Sequence, residues 1–150
     1  MLSYSAAGTK YDFGEEKGEQ ADFATLLKES DIISVHAPLN RYTENLIDLD
    51  AFRKMKNTAV LVNVARGPIV NEEDLYTALV ENEIEGAALD VLKEEPMAPD
   101  NPLLKIQDSK KLIITPHMAW APVETRTRCR DEVVENIKAF LAGKDRNRVY

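Results

Sequence analysis

Between Ala59 and Val64 the chain reads Ala-Val-Leu-Val-Asn-Val, and this nearly unbroken apolar run constrains the fold more than any other feature. It is too short for a buried helix and shows no alternation, which suits a strand covered on both faces of a parallel sheet. Parallel neighbours cannot be joined by a hairpin, so helical crossovers must separate the strands.

The flanking sequence supplies that alternation. Strands are expected at Met1 to Ser5, Ile32-Ile-Ser-Val-His36, Ala87 to Val91 and Leu112 to Thr115, whereas Tyr11 to Gln20 is polar and reads as loop. Asp22 caps a helix with Phe23, Leu26 and Leu27 on one face. Asp48 caps a short one carrying Leu49, Phe52 and Met55, and Asn71 caps a third with Leu75, Ala78 and Leu79. A long last helix spans about 123 to 142, with Val133, Ile137, Phe140 and Leu141 at helical spacing and Gly143 as its stop. This pattern specifies an α/β fold with a doubly wound, Rossmann-like parallel sheet.

A net charge of −7 disfavours nucleic acid as a partner, because phosphate binding needs clustered Lys and Arg. The basic residues Arg126, Arg128 and Arg130 read as a solvated helix face. Cys129 is alone, so neither an internal disulfide nor a cysteine metal cluster is available. No apolar run reaches the roughly 18 to 20 residues of a membrane span, and Met1-Leu-Ser-Tyr has no signal-peptide character. The expectation is a soluble, cytoplasmic protein with no membrane partner and no metal site.

Ligands of doubly wound sheets bind beyond the carboxyl ends of the strands. His36, Arg66, Asp90 and His117 all fall at that edge, so four polar residues from four strands converge on one crevice. Arg66 precedes the turn Gly67-Pro68, which lets backbone approach a ligand, and its guanidinium suits a carboxylate; the competing role is a strand-end cap. His117 is either a satisfied histidine or a proton donor and acceptor. In Glu94-Glu95-Pro96 either carboxylate can partner an imidazole, or the turn is simply solvated. Asp90 ends an apolar strand, where an acid must find a partner or face the crevice. Trp120 is a packed aromatic or a pocket wall, and His36-Ala37-Pro38 is a ligand-lining segment or a plain strand exit.

Three motifs carry a resemblance: Asn63-Val-Ala-Arg66-Gly67-Pro-Ile-Val70, Asp90-Val-Leu-Lys-Glu-Glu95-Pro96 and Thr115-Pro-His117-Met-Ala119-Trp120. In order and spacing they resemble the D-isomer-specific 2-hydroxyacid dehydrogenases over nearly the whole chain, and Trp120 is most similar to the glycerate dehydrogenase/hydroxypyruvate reductase branch. The resemblance implies that Arg66 holds the substrate carboxylate and polarises its 2-oxo group. His117 then protonates the carbonyl oxygen while hydride arrives at carbon, and Glu95, directly before the proline, is the imidazole's partner. It also implies a nicotinamide dinucleotide bound by Asp90 at the carboxamide and by Val64, Ala65 and Ala119 nearby. His36, Ala37, Pro38 and Thr43 would line the adenosine half. Ser5 stands where NAD-specific members carry an acid for the ribose 2′-hydroxyl. With Thr9 and Lys10 it leans the choice between NAD and NADP towards NADP. A bulky Trp120 would favour a small 2-oxo acid of the glyoxylate or hydroxypyruvate type.

No Gly-x-Gly-x-x-Gly occurs; Gly14 and Gly18 follow no strand. Aligned to the family, Met1 falls inside the second strand of the dinucleotide domain. Residues 1–150 thus read as a partial dinucleotide-binding domain, its final helix packing towards a substrate domain not present here. Loss of a central first strand would cut off Met1–Ser5 and Ile32–His36 from the other three strands. The chain alone is expected to be inactive, a fragment of an enzyme that is a homodimer in full-length form; alternatively another chain segment fills the gap. The competing function is a non-catalytic dinucleotide-sensing or protein-interaction module, as in the family's corepressors, since fold alone does not decide chemistry.

Overall fold

The Val60–Asn63 strand (β4) lies inside a four-stranded parallel sheet, between Ile32–Val35 (β3) and Gly86–Leu89 (β5), with Leu112–Ile114 (β6) beyond β5. The computed structural model describes residues 1–6, 8 and 18–148. Register sets Ile33, Leu61, Ala87 and Leu112 in one row and Val35, Asn63, Leu89 and Ile114 in the next. All but Ile114 of these two rows are buried. The opposite face is more open: Val60 and Val62 are half-buried, and Ile32 and Ile113 are exposed. The expectation that the apolar run at 59–64 is covered on both faces is therefore met on one face only.

Three helices supply the core. Phe23–Glu29 (α1) buries Leu27, Leu49–Phe52 (α2) buries Ala51 and Phe52, and Glu72–Glu81 (α3) buries Leu75, Ala78 and Leu79. Burying each large apolar side chain contributes roughly 1.5–3 kcal/mol, before the cost of ordering the chain. The three expected caps are in place. Asp22 accepts from the Thr25 N–H, Asp48 from the Ala51 N–H, and Asn71 from the Glu73 and Asp74 N–H groups. The Asn71 cap contributes about 1 kcal/mol by satisfying donors the helix leaves open. Asn82, left-handed at φ 59°, closes α3.

At the amino end Leu2–Ser3 (β1) pairs in parallel with Glu19–Gln20 (β2) as a separate two-stranded sheet. This corrects two expectations. Glu19 and Gln20 are strand rather than loop, and Ile32–Val35 is joined to the other three strands rather than cut off from them. The second correction follows from the first. Glu19–Gln20 takes the third place in the order 3-2-1-4-5-6, so Ile32–Val35 is the fourth strand and pairs with the fifth. Among the described strands, β1 and β2 alone stand apart. A cavity of about 960 Å³ is lined by both sheets, with Leu2 and Tyr4 contributing from one side and Ile33 and Val35 from the other.

Residues Met1–Pro116 form one compact unit and His117–Tyr150 another. Within the second, Val123–Leu141 (α4) is a 19-residue helix with none of its residues buried. Gly143, at φ 66°, ends it near the expected position.

Candidate functional site

Because β3 to β6 are parallel, their carboxyl ends share one edge. In the first unit this edge presents His36, Arg66, Asp90 and Thr115, each on the segment that leaves its strand. The ladder runs one residue past β5 and β6, with Asp90 N–H donating to the Asn63 carbonyl and Thr115 N–H to that of Leu89. Both residues are thereby fixed at the lip of the sheet.

Arg66 is exposed, and the turn that carries it is built by Asn63. The Asn63 side chain is 1% exposed; its oxygen accepts from the Ala65 N–H and its Nδ2 donates to the Arg66 carbonyl, both at 3.0 Å. One amide thus satisfies two backbone groups that β4 abandons on ending, as a buried polar side chain must. The guanidinium is also tied to its own loop, Nη1 donating to the Ala65 carbonyl at 2.6 Å. Gly67 follows in close contact with the backbone of Leu92 and Lys93. The Arg66 turn and the segment leading to Glu95 therefore touch without any side chain between them.

That second segment is held at several points. The Leu92 N–H donates to Glu95 Oε1 at 2.9 Å, and the Lys93 N–H to Glu72 Oε1 at 2.6 Å. Asn101 Nδ2 donates to Glu72 Oε2 at 2.7 Å, and Asn101 Oδ1 accepts from the Leu103 N–H. The Glu95–Pro96 peptide is cis. Asp90, 6% exposed, accepts the Thr115 hydroxyl at 2.5 Å, which fixes the orientation of its carboxylate.

On the other flank His36 Nε2 and Ser34 Oγ share a hydrogen bond of 2.8 Å. Thr43 is buried and engaged by its own turn: its hydroxyl donates to the Pro38 carbonyl and accepts from the Asn40 N–H. It therefore shapes the Pro38 loop. Ser5 is half-buried, and its carbonyl accepts from the Gly8 N–H. Thr9 and Lys10 lie outside the described residues.

His117, Ala119 and Trp120 belong to the second unit. His117 adopts φ 50°, a left-handed conformation uncommon outside glycine. The Trp120 indole N–H donates to its carbonyl at 2.8 Å, and the Ala121 N–H to that of Met118. Sequence reasoning assigns no role to Asn63, Glu72, Asn101 or Thr115, although Asn63 and Thr115 open two of the motifs. A lone Asn closing an apolar strand is the one such signal readable in advance.

The model of the D-isomer specific 2-hydroxyacid dehydrogenase NAD binding domain matches residues 1–119. The chain belongs to this family. Glyoxylate reductase of Korarchaeum cryptofilum is 45% identical over 134 residues, which cover 89% of this chain and 40% of that protein. Hydroxypyruvate reductase of Blautia hydrogenotrophica is 43% identical over 122 residues, 81% of this chain and 37% of the relative. D-lactate dehydrogenase with NAD+ from Lactobacillus jensenii superposes with a TM-score of 0.79 at 32% identity, over 99% of this chain and 47% of that one. The chain thus spans less than half the length of each. Among the described residues no helix is long and apolar enough to cross a membrane, and no group of His, Cys, Asp and Glu is arranged to hold a metal ion.

Proposed function

We propose that this chain is the larger part of the dinucleotide domain of a reductase that converts a small 2-oxo acid to the D-2-hydroxy acid with NAD(P)H. The observation that carries the reading is an exposed Arg66 on a rigid turn at the carboxyl edge, packed against the segment bearing Glu95. A guanidinium placed there binds a carboxylate through two parallel hydrogen bonds, fixing orientation as well as charge.

The residues fit a nicotinamide in one respect: Asp90 is an oriented acceptor at the lip, the chemistry a carboxamide NH₂ requires. Val64 and Ala65 would serve the same end of the cofactor, a role the family resemblance also assigns to Ala119, with His36, Ala37 and Pro38 along the adenosine half and Thr43 shaping that loop. A bound reduced nicotinamide supplies the hydride that reaches the 2-oxo carbon. His117 gives its proton to the carbonyl oxygen and is left neutral, and Glu95 is the carboxylate assigned as its partner. Arg66 holds the carboxylate throughout, and Trp120 limits substrate size. The cavity lined by β1 and β3 supports a partial domain, since the standard order places one further strand there. The reading assigns pyrophosphate binding to a glycine-rich loop outside this sequence, and α4 to packing against the substrate domain. Ser5 favours NADPH by offering no carboxylate to repel a 2′-phosphate.

The test is product analysis for the protein that carries this chain, given hydroxypyruvate or glyoxylate with NADPH or NADH. D-glycerate from hydroxypyruvate supports the reading; L-glycerate, or no product with either acid, overturns it. Faster turnover with NADH than with NADPH would refute the role of Ser5.

A further inference from the structure

Glu72 begins α3, yet the residue is only 9% exposed and its carboxylate is engaged within the protein. An acid in the first turn of a helix is usual, but most such acids face water. This one accepts two hydrogen bonds from sites remote in sequence, the Lys93 N–H at 2.6 Å and Asn101 Nδ2 at 2.7 Å. Together these donors bracket the Glu95 segment. Lys93 lies two residues before Glu95; Asn101 lies six after it and is itself fixed by capping the 3-10 turn Pro102–Lys105.

The helix that Glu72 opens is tied to the Arg66 turn. Asn71 caps α3, and Gly67–Ile69 is the short 3-10 turn that leads directly from Arg66 into it. On the far side Gly67 meets Leu92, whose N–H donates to Glu95 Oε1. Two connections thus run between the Arg66 turn and the Glu95 segment, a backbone contact at Gly67–Leu92 and the Glu72 carboxylate at Lys93 and Asn101. The first stops the segments from approaching further. The second stops them from separating.

We propose that Glu72 is a positioning residue that holds the Glu95 segment at a fixed distance from the Arg66 turn, with Asn101 as its anchor. This deepens the proposed function and rests on it wherever Glu95 is taken as the partner of the imidazole. A neutral glutamine retains one acceptor oxygen, but its NH₂ would face a donor that the carboxylate now receives. Leaving a buried donor unmatched costs far more than an ordinary hydrogen bond contributes, so the segment should move out.

The experiment compares Glu72→Gln and Asn101→Asp with the unmodified protein that carries this chain. Asn101→Asp keeps the acceptor for the Leu103 N–H but removes the donor to Glu72. Two readouts are taken. Amide exchange is expected to show about tenfold loss of protection at Lys93 in both variants, with Leu61 and Val62 unchanged. Reduction of the 2-oxo acid, normalised to folded enzyme, is expected to lose about tenfold in kcat with KM changed by less than about twofold, because the Glu95 segment moves while Arg66 keeps the substrate carboxylate.

Unchanged protection at Lys93 in both variants overturns the proposal, as does lost protection with an unchanged kcat, which would make Glu72 a structural clamp alone. If the unmodified protein reduces no 2-oxo acid, the proposed function fails. The exchange readout then still decides whether Glu72 holds the segment.

Discussion

A Cβ on Gly67 would lie 1.9 Å from the carbonyl carbon of Leu92 and 2.0 Å from its oxygen. The two backbones are packed directly on each other, and the atoms in the way are main chain rather than a flexible side chain. Glycine is required here for close approach. Its backbone conformation is not the reason.

Gly67→Ala is therefore expected to cost on the order of 3 kcal/mol or more, because the Leu92–Lys93 backbone must shift. Denaturant unfolding checks this. A loss well under 1 kcal/mol would mean that the two segments are free to part, and that the Arg66 turn and the Glu95 segment are not coupled through this contact.

Arg66→Gln should weaken the 2-oxo acid's kcat/KM by about 100-fold, the scale of a charge-assisted pair lost to a carboxylate. Arg66→Lys should recover only part of it, since an ammonium keeps the charge without the paired geometry. Steady-state kinetics with glyoxylate and with hydroxypyruvate separate these cases. Equal rates for Arg66→Gln and the unmodified protein would remove Arg66 from substrate binding.

Much of this frame is legible in sequence because it is local. The caps at Asp22, Asp48 and Asn71 act on backbone groups two or three residues away, and each was readable from residue type and spacing. The apolar stretches at β4, β5 and β6 announced a parallel sheet for the same reason. Glu19–Gln20 gave no such signal. Two exposed polar residues form a strand there because Leu2 and Ser3 pair with them. Missing that strand misplaced Ile32–Val35 in the strand order. Glu72 was hidden differently: as a helix-start acid it looks ordinary, and its partners lie 21 and 29 residues away. Thr115 and Asp90 are likewise 25 residues apart.

Trp120 is exposed rather than packed as a core aromatic, and its one polar atom is used within its own turn. Its indole N–H donates to the His117 carbonyl across a turn in which His117 is left-handed. Trp120→Phe keeps most of a pocket wall and removes that donor. A drop in kcat of about fivefold is expected, matching one hydrogen bond of roughly 1 kcal/mol. Unchanged kcat with an altered preference between glyoxylate and hydroxypyruvate would leave Trp120 as a wall only.

Asp22 provides a pH-dependent check on the fold. Its carboxyl is held below the ordinary aspartate value, first by the Thr25 N–H and then by the Thr25 hydroxyl. A depressed acid stabilises the folded state above its unfolded value of about 3.9 and loses that contribution as pH falls through the lower folded value. An NMR titration should place the Asp22 midpoint below that of an unstructured aspartate, with the Thr25 amide shifting in step. Coincident midpoints would mean that the cap does not form in solution.

The most direct test of the central claim is the rate of reduced-nicotinamide oxidation with glyoxylate, compared between the unmodified protein that carries this chain and its His117→Ala variant. Loss of about 10²- to 10⁴-fold in kcat, with dinucleotide affinity retained, is the result expected of the group that delivers the proton. Equal rates in the two proteins would contradict the account, because the carbonyl oxygen would then take its proton from somewhere other than His117.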